Sequence, residues 1–202
     1  MIRKPSFKEE RLLWHKGLHL IAGLDEVGRG AFAGPLVAAA VILPKNFKIN
    51  GIKDSKILNH KIRKLLSEYI KNNSLRYSIS QVNVSYINKY GVGKATRKAF
   101  IDAINNLGLK PDFILVDGYK IKNLNYNQKG IIRGDSKCVS IAAASIIAKV
   151  YRDELMLRLS KKYPNYKFSQ NKGYGTKYHR EALKKYGLSK IHRTSFNLKK
   201  FL

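Results

Sequence analysis

A single cysteine, Cys138, in 202 residues excludes an intramolecular disulfide and a thiolate-rich zinc site, and suits a reducing cytosol. Acidic residues are scarce as well: 13 Asp and Glu stand against 40 Lys and Arg, a formal net charge of +27. Binding to a polyanion is therefore the first hypothesis. Long apolar runs are missing. The most apolar region, 21–43, is broken by Asp25, Glu26 and Arg29. The run 139–150 is far shorter than the ~20 residues that a membrane span needs. Residues 1–17 mix Lys, Arg and Glu without an apolar core, so no signal peptide is expected. Repeats and low-complexity blocks are absent too, and the chain reads as soluble and cytoplasmic. What is present suits a globular fold. The hydrophobic share is 44%, and the length fits one domain, with at most a small appendage, that folds without staples.

Residues 1–18 read as a polar lead-in with Leu12, Leu13 and Trp14 as a docking patch. Strands are predicted over 19–25 and 36–43, joined by a glycine-rich connection, 28–35, too irregular for either. Leu58, Ile62, Leu65, Leu66 and Tyr69 recur at helical spacing and predict an amphipathic helix over about 56–71. A β-like alternation covers 76–82. Val92, Ala95, Ala99, Ala103 and Leu107 mark a second helix closed by Gly108. The continuous run 113–116 is typical of a strand buried on both faces, and Ile131-Ile132 is β-like. Helices follow over about 137–159 and 177–186, the latter with Thr176 as N-cap and Gly187 after its end. Early strands followed by helix–strand alternation predict a mixed sheet with helices packed on it. From 158 to 202 there are 13 Lys or Arg against only Glu181, interleaved with Tyr163, Tyr166, Phe168, Tyr174 and Tyr178. That mixture suits phosphates and sugar or base faces, although a solvated lysine-rich face has the same composition.

In so basic a chain the informative residues are the acids beside apolar strands. Asp25 and Glu26 end the first, Asp117 ends the run 113–116, and Asp135 lies between Ile132 and the long apolar helix. Each sits where a sheet edge opens onto loops, the usual place for ligand sites in α/β sheets. Taken singly, Asp117-Gly118 is an ordinary turn and Asp135-Ser136 an ordinary helix cap. Together, four converging carboxylates repel one another unless a cation is present. Hard divalent ions are held by a few carboxylates plus water and phosphate oxygens, which favours a metal-dependent phosphodiester enzyme over a passive binder. The glycines of 28–34 do not fit a dinucleotide fingerprint, because the third comes one residue late and a strand follows. They let backbone groups approach a ligand, with Arg29 beside them for phosphate or sugar oxygens.

The stretch 21–30 (IAGLDEVGRG), continuing through Ala33-Gly34-Pro35 to 38–43, resembles the opening signature of bacterial ribonuclease HII. Further matches follow in order: Asp54-Ser55-Lys56, 114–118, Gly134-Asp135-Ser136-Lys137, 140–150, Arg152-Asp153, 172–176, His179 and Ile191-His192-Arg193. The similarity covers about 14–196. Small departures stand at Val27, Ala31-Phe32 and Cys138, and none adds or removes a metal ligand.

The resemblance implies a ribonuclease H-like α/β fold, a mixed five-stranded sheet flanked by helices. It divides the chain into a lead-in (1–18), a catalytic domain (19–158) and a basic helical extension (159–202) that contacts substrate. It implies cleavage of RNA in RNA–DNA hybrids and 5′ to ribonucleotides embedded in duplex DNA, leaving 3′-hydroxyl and 5′-phosphate ends. Asp25, Glu26, Asp117 and Asp135 would be the catalytic and metal-binding acids, holding two divalent ions, Mg²⁺ or Mn²⁺. One ion is expected at Asp25, Asp117 and Asp135, the other near Asp25 and Glu26. Gly28, Arg29 and Gly30 would read the ribose 2′-hydroxyl, and Tyr174 would stack on the next deoxyribose. The protein would act as a monomer away from membranes, and 196–202 carries apolar side chains with which a replication clamp could engage. No N-terminal substrate domain of the ribonuclease HIII kind is expected, and ribonuclease HI lacks the Gly-Arg-Gly reader. The alternatives are a non-catalytic basic nucleic-acid-binding protein and a transposase-like enzyme without the 172–176 loop. Cys138 reads as a packing residue, since nothing pairs it with a histidine. His179 and His192 read as structural hydrogen-bonders. Asp153-Glu154, near Arg152 and Arg158, reads as i,i+4 ion pairing.

Overall fold

The computed structural model describes residues 4–48 and 59–202; Asp54, Ser55, Lys56 and Leu58 lie outside them. Five strands, β1 (Ile21–Val27), β2 (Leu36–Ile42), β3 (Arg76–Val82), β4 (Phe113–Asp117) and β5 (Gln128–Ile131), form one sheet in the order β3-β2-β1-β4-β5. β1 pairs antiparallel with β2 and parallel with β4; β2–β3 is antiparallel and β4–β5 parallel. This is the mixed sheet the sequence predicts.

The sequence of β2, LVAAAVI, has no polar residue because both its faces are covered. Successive side chains point to opposite faces. Leu36, Ala38, Ala40 and Ile42 pack with Ala95, Ala99 and Ala103 of helix α3 (Val84–Asn105). Val37, Ala39 and Val41 pack with Ala143, Ile146 and Ile147 of helix α4 (Val139–Lys162). The alanines bring both helices close, and on β1 Gly23 goes further. A β-carbon there would stand 2.1 Å from the Ser140 carbonyl carbon, so only glycine lets α4 lie on that strand. Lying between sheet and neighbouring helices, α4 is apolar around much of its circumference, as its run of alanines and isoleucines foretells.

Three local expectations differ from the observed fold. Helix α3 begins eight residues before Val92, with the Asn83 side chain accepting from the Tyr86 N–H at 2.8 Å, and breaks at Gly91 (φ 81°). Helix α2 (His60–Asn73) turns a different face inward from the one its apolar spacing suggests. Ile62, Leu65 and Tyr69 are exposed, whereas Arg63, Ser67 and Ile70 are buried against the fold. Of the predicted apolar positions Leu66 packs on the core, beside Ile70, and Arg63 pairs on the same side with Asp153 of α4 at 3.6 Å. Strand β1 begins two residues later than predicted and runs two residues past Asp25, so Glu26 lies inside it.

The N-terminal residues form helix α1 (Lys8–Trp14), whose buried Glu10 accepts from both the N–H (2.9 Å) and the hydroxyl (2.7 Å) of Ser140. It thereby caps α4 from outside, where the N-cap residue Cys138 offers no side-chain bond. Leu13 and Trp14 pack inward and Leu12 stays exposed. Cys138 is buried, and burial raises its thiol pKa, in keeping with a packing role. Beyond α4 come a short helix α5 (Phe168–Asn171) and helix α6 (Lys177–Tyr186), which has the predicted cap, Thr176, and the predicted stop, Gly187. The apolar side chains of 196–202 fold inward: Leu198 is buried and Phe201 stacks on Phe32 at 5.4 Å, which leaves Leu202 exposed. Among the described residues no helix is long and apolar enough to cross a membrane.

Candidate active site

The parallel pairing of β1 with β4 matches Leu24 with Val116, and one residue further along each strand come Asp25 and Asp117. Glu26 follows Asp25 on the same strand, so three carboxylates gather at one sheet edge. All three line a cavity of about 890 Å³, together with Ser145 and Lys149 of α4 and with Tyr174. Asp25 is nearly buried, and its Oδ1 accepts from the Glu26 N–H at 2.7 Å. Burial, followed by the charges of Asp117 and Glu26, holds its carboxyl well above the usual carboxylate range. The Asp117 Oδ1 accepts from the Gly134 N–H at 2.6 Å.

Asp135 is buried on the turn Gly134–Ser136 and does not line the cavity. Three of the four expected acids thus line one cavity, and the fourth lies on the turn tied to Asp117 through the Gly134 N–H. Among the described residues no three acid, imidazole or thiol side chains stand close enough to one another to grip an ion unaided. The donor chemistry nevertheless fits a hard cation. Two further acids oppose the ionisation of Asp25, and all three are oxygen donors of the kind that share such an ion with water and phosphate.

Tyr174 faces these acids across the cavity, half-buried, with the Arg152 guanidinium 5.4 Å and the Lys149 ammonium 5.9 Å from its ring centre. The i,i+4 pairing expected around Asp153 is present, but its partner is Lys149, four residues earlier, at 2.7 Å. Glu154 pairs with Lys64 at 3.5 Å, and neither acid takes Arg152 or Arg158 in a salt bridge.

Arg152 is fully buried and donates instead to the carbonyls of Pro35 (3.0 Å), Lys172 (2.9 Å) and Ala33 (3.2 Å). Arg193, also fully buried, donates twice to Gly34 O (3.0 and 2.9 Å) and once to Arg29 O (2.9 Å). The Phe32 and Ala33 N–H groups reach Gly173 O at 2.8 and 3.2 Å. The loop after β1 and the loop that carries Tyr174 are therefore one bonded unit. Gly28 (φ +87°) is needed there, because a β-carbon would stand 2.1 Å from Arg152 Nε. Gly30 is exposed, with nothing within 4 Å of where its β-carbon would be. Arg29 extends into solvent, its side chain 62% exposed, 3.8 Å from Glu26, so this ion pair contributes little. Arg29 and Gly30 are open to solvent beside the acids, whereas Gly28 is buried against Arg152.

His179 and His192 are buried and bond each other through their Nε2 atoms at 3.0 Å. The Ser189 N–H donates to His192 Nδ1, which leaves the His192 proton on Nε2 to face His179. His179 then carries its own proton on Nδ1 and donates to Tyr174 O at 2.9 Å. Burial holds His192 down at about 4 and lowers His179 as well, so both stay neutral. They are the structural hydrogen-bonders the sequence suggests, and they steady the Tyr174 loop. The sequence contains Arg152, Arg193, Lys149, Arg63 and Ser145 but does not single them out as site residues. The available signal is that four of them, Ser145, Lys149, Arg152 and Arg193, fall within the stretches that resemble the family; Arg63 does not.

Comparison with known proteins agrees with this geometry. The family model described as ribonuclease HII matches residues 22–199. The chain is 50% identical over 190 residues to the ribonuclease HII of Caldicellulosiruptor bescii, an alignment that covers 94% of this chain and 92% of that one. Among solved structures, ribonuclease H2 of Pyrococcus horikoshii superposes with a TM-score of 0.75 at 28% identity, over 90% of this chain and 96% of that one. The ribonuclease HII of Archaeoglobus fulgidus, solved in complex with PCNA, superposes with a TM-score of 0.76 at 26% identity, over 89% and 97%.

Proposed function

The chain belongs to the ribonuclease HII family, and from that premise we propose which of its residues cleave the substrate and how. It is a ribonuclease H, an endoribonuclease acting on the RNA of RNA–DNA hybrids. Its catalytic acids are Asp25, Glu26, Asp117 and Asp135, and it also cuts 5′ to ribonucleotides embedded in duplex DNA. The supporting observation is the meeting of Asp25, Glu26 and Asp117 in one cavity opposite Tyr174. A passive basic binder has no need to bury Asp25 beside two further acids, a placement that disfavours its charge.

Asp25, Glu26, Asp117 and Asp135 would hold two divalent ions, Mg²⁺ or Mn²⁺. When bound, these ions supply activation of the attacking water and charge stabilisation for the leaving 3′-oxygen. The protein's own groups position the strand. Gly28, Arg29 and Gly30 offer backbone and guanidinium donors to the 2′-hydroxyl and adjacent oxygens, with no β-carbon in the way at Gly30. The Tyr174 ring takes the face of the following deoxyribose, where a 2′-hydroxyl would crowd it. The extension from 159 onward adds backbone contacts, which position without reading bases. The enzyme works as a monomer in the cytoplasm, in primer removal and ribonucleotide excision, and leaves 3′-hydroxyl and 5′-phosphate ends. A clamp contact would fall to exposed Leu202, because Leu198 and Phe201 are taken up by the fold.

The test is cleavage of duplex DNA carrying one ribonucleotide, with and without chelator. Activity that vanishes with chelator and returns with Mg²⁺ or Mn²⁺ is expected. Chelator-resistant cutting, or a 2′,3′-cyclic phosphate product, overturns the reading. Tyr174→Ala should lose roughly 5- to 150-fold in kcat/KM at a single embedded ribonucleotide, the value of one aromatic stacking contact. It should lose less on a continuous hybrid, which has no deoxyribose at that position. An unchanged ratio between the two substrates removes Tyr174 from recognition.

A further inference from the structure

Glu26 and Asp117 line a second cavity, of about 430 Å³, that adjoins the first. Tyr174 belongs to the first only and Arg29 to the second only, so the two carboxylates form the ridge between them. The floor of the second cavity is apolar, with Phe100 and Ile121 buried, and Tyr119 stands at its rim, 79% exposed. Its walls are basic. Lys94 and Arg97 project from α3 just beyond the break at Gly91, and Lys120 and Lys122 from the loop after β4. Among the described residues these four cations form no salt bridge, whereas Lys98, next to Arg97, pairs with Asp102 at 2.9 Å. Like charges held together over an apolar floor repel one another, and a run of phosphates relieves that repulsion. The apolar floor and exposed tyrosine suit sugar and base faces in the same stretch of strand.

We propose that this second cavity holds the cleaved strand on the 5′ side of the ribonucleotide. The direction rests on the reading of Tyr174 given above. If the sugar 3′ to the ribonucleotide lies against Tyr174 and the reacting phosphate lies at the carboxylates, the strand must leave across the ridge of Glu26 and Asp117. The basic cavity beyond that ridge is where its upstream phosphates arrive. The substrate path thus runs from the Tyr174 loop over the acids to α3, and the extension from 159 onward is not its only basic wall.

The experiment uses the full chain and duplexes with one ribonucleotide, in which either the 5′ or the 3′ flank is cut from about 12 to about 3 nucleotides. It compares the wild type with Lys94→Ala/Arg97→Ala, Lys120→Ala/Lys122→Ala and the fourfold combination, all at exposed side chains. Removing one cation from its phosphate should raise KM about fivefold at ~0.15 M salt and make the salt dependence shallower by about 0.9 in log–log slope. The kcat at saturation should be kept. The wild type should weaken when the 5′ flank is shortened, and the fourfold variant should no longer respond to that shortening. A variant with wild-type KM, or one that stops responding to the 3′ flank instead, overturns the proposal. A wild type that leaves the single ribonucleotide uncut refutes the underlying assignment of function, an outcome separate from either.

Discussion

Asp117→Asn should lower turnover on the order of a thousandfold while leaving affinity for an RNA–DNA hybrid equal or higher. The substitution is nearly isosteric. An amide oxygen accepts the Gly134 N–H as the carboxylate does at 2.6 Å, so β4 and the turn behind it keep their places. What is removed is a charge at the point where two strands bring acids together. In the function proposed here that charge helps hold the divalent ions, whose stabilisation of the reacting phosphate is worth several kcal/mol, and about 4 kcal/mol is a thousandfold. Hybrid affinity moves the other way, because one group that repels the phosphate is gone. The charge that helps keep Asp25 above the usual carboxylate range is gone with it. Single-turnover rates at saturating Mg²⁺, with hybrid affinity measured by fluorescence anisotropy, check both halves. A wild-type rate would make Asp117 a strand-end turn residue and nothing more.

Arg193→Ala should be the most destabilising single change outside the sheet core. The side chain is wholly buried and spends Nε, Nη1 and Nη2 on the carbonyls of Gly34 and Arg29. Truncation leaves those carbonyls without these donors in a place water cannot readily reach, and it opens a void where a large side chain stood. Unpaired buried groups cost about 1–3 kcal/mol each, so the penalty is roughly 3 kcal/mol or more, a fall of about 6–12 °C in Tm for a domain of this size. Arg193→Lys should recover only part, since one ammonium cannot reproduce the planar fork that serves two carbonyls. Calorimetry on the three proteins settles it. A shift within ~1 °C for the alanine variant would mean that the loop after β1 holds itself in place.

Much of this protein is determined by its sequence alone, wherever the cause is local. The continuous apolar run 113–116, bounded by Pro111 and Gly118, reads as a strand covered on both faces, and it forms β4. Thr176 and Gly187 mark the ends of α6 through their own hydrogen bond and positive φ, with no help from elsewhere. Asp25, Glu26 and Asp117 stand out for a similar reason, as acids on apolar strands in a chain of net charge +27. The rest is decided by contacts between residues far apart in the chain. The buried face of α2 includes Arg63, paired with Asp153 some ninety residues away, and a hydrophobic period has no means of registering an ion pair of that span. Arg152 and Arg193 fall in stretches that resemble the family, but they become the ties of the glycine loop only when the fold presents them with its carbonyls, so their role cannot be read from the sequence. Asp135 is joined to the site through its neighbour Gly134, whose N–H Asp117 accepts and whose place against Ile141 leaves no room for a β-carbon, a matter of packing and not of composition. The ridge that divides two cavities at Glu26 and Asp117 is a property of the sheet edge. It exists only once β1 and β4 lie side by side, since that pairing alone brings residues 26 and 117 together.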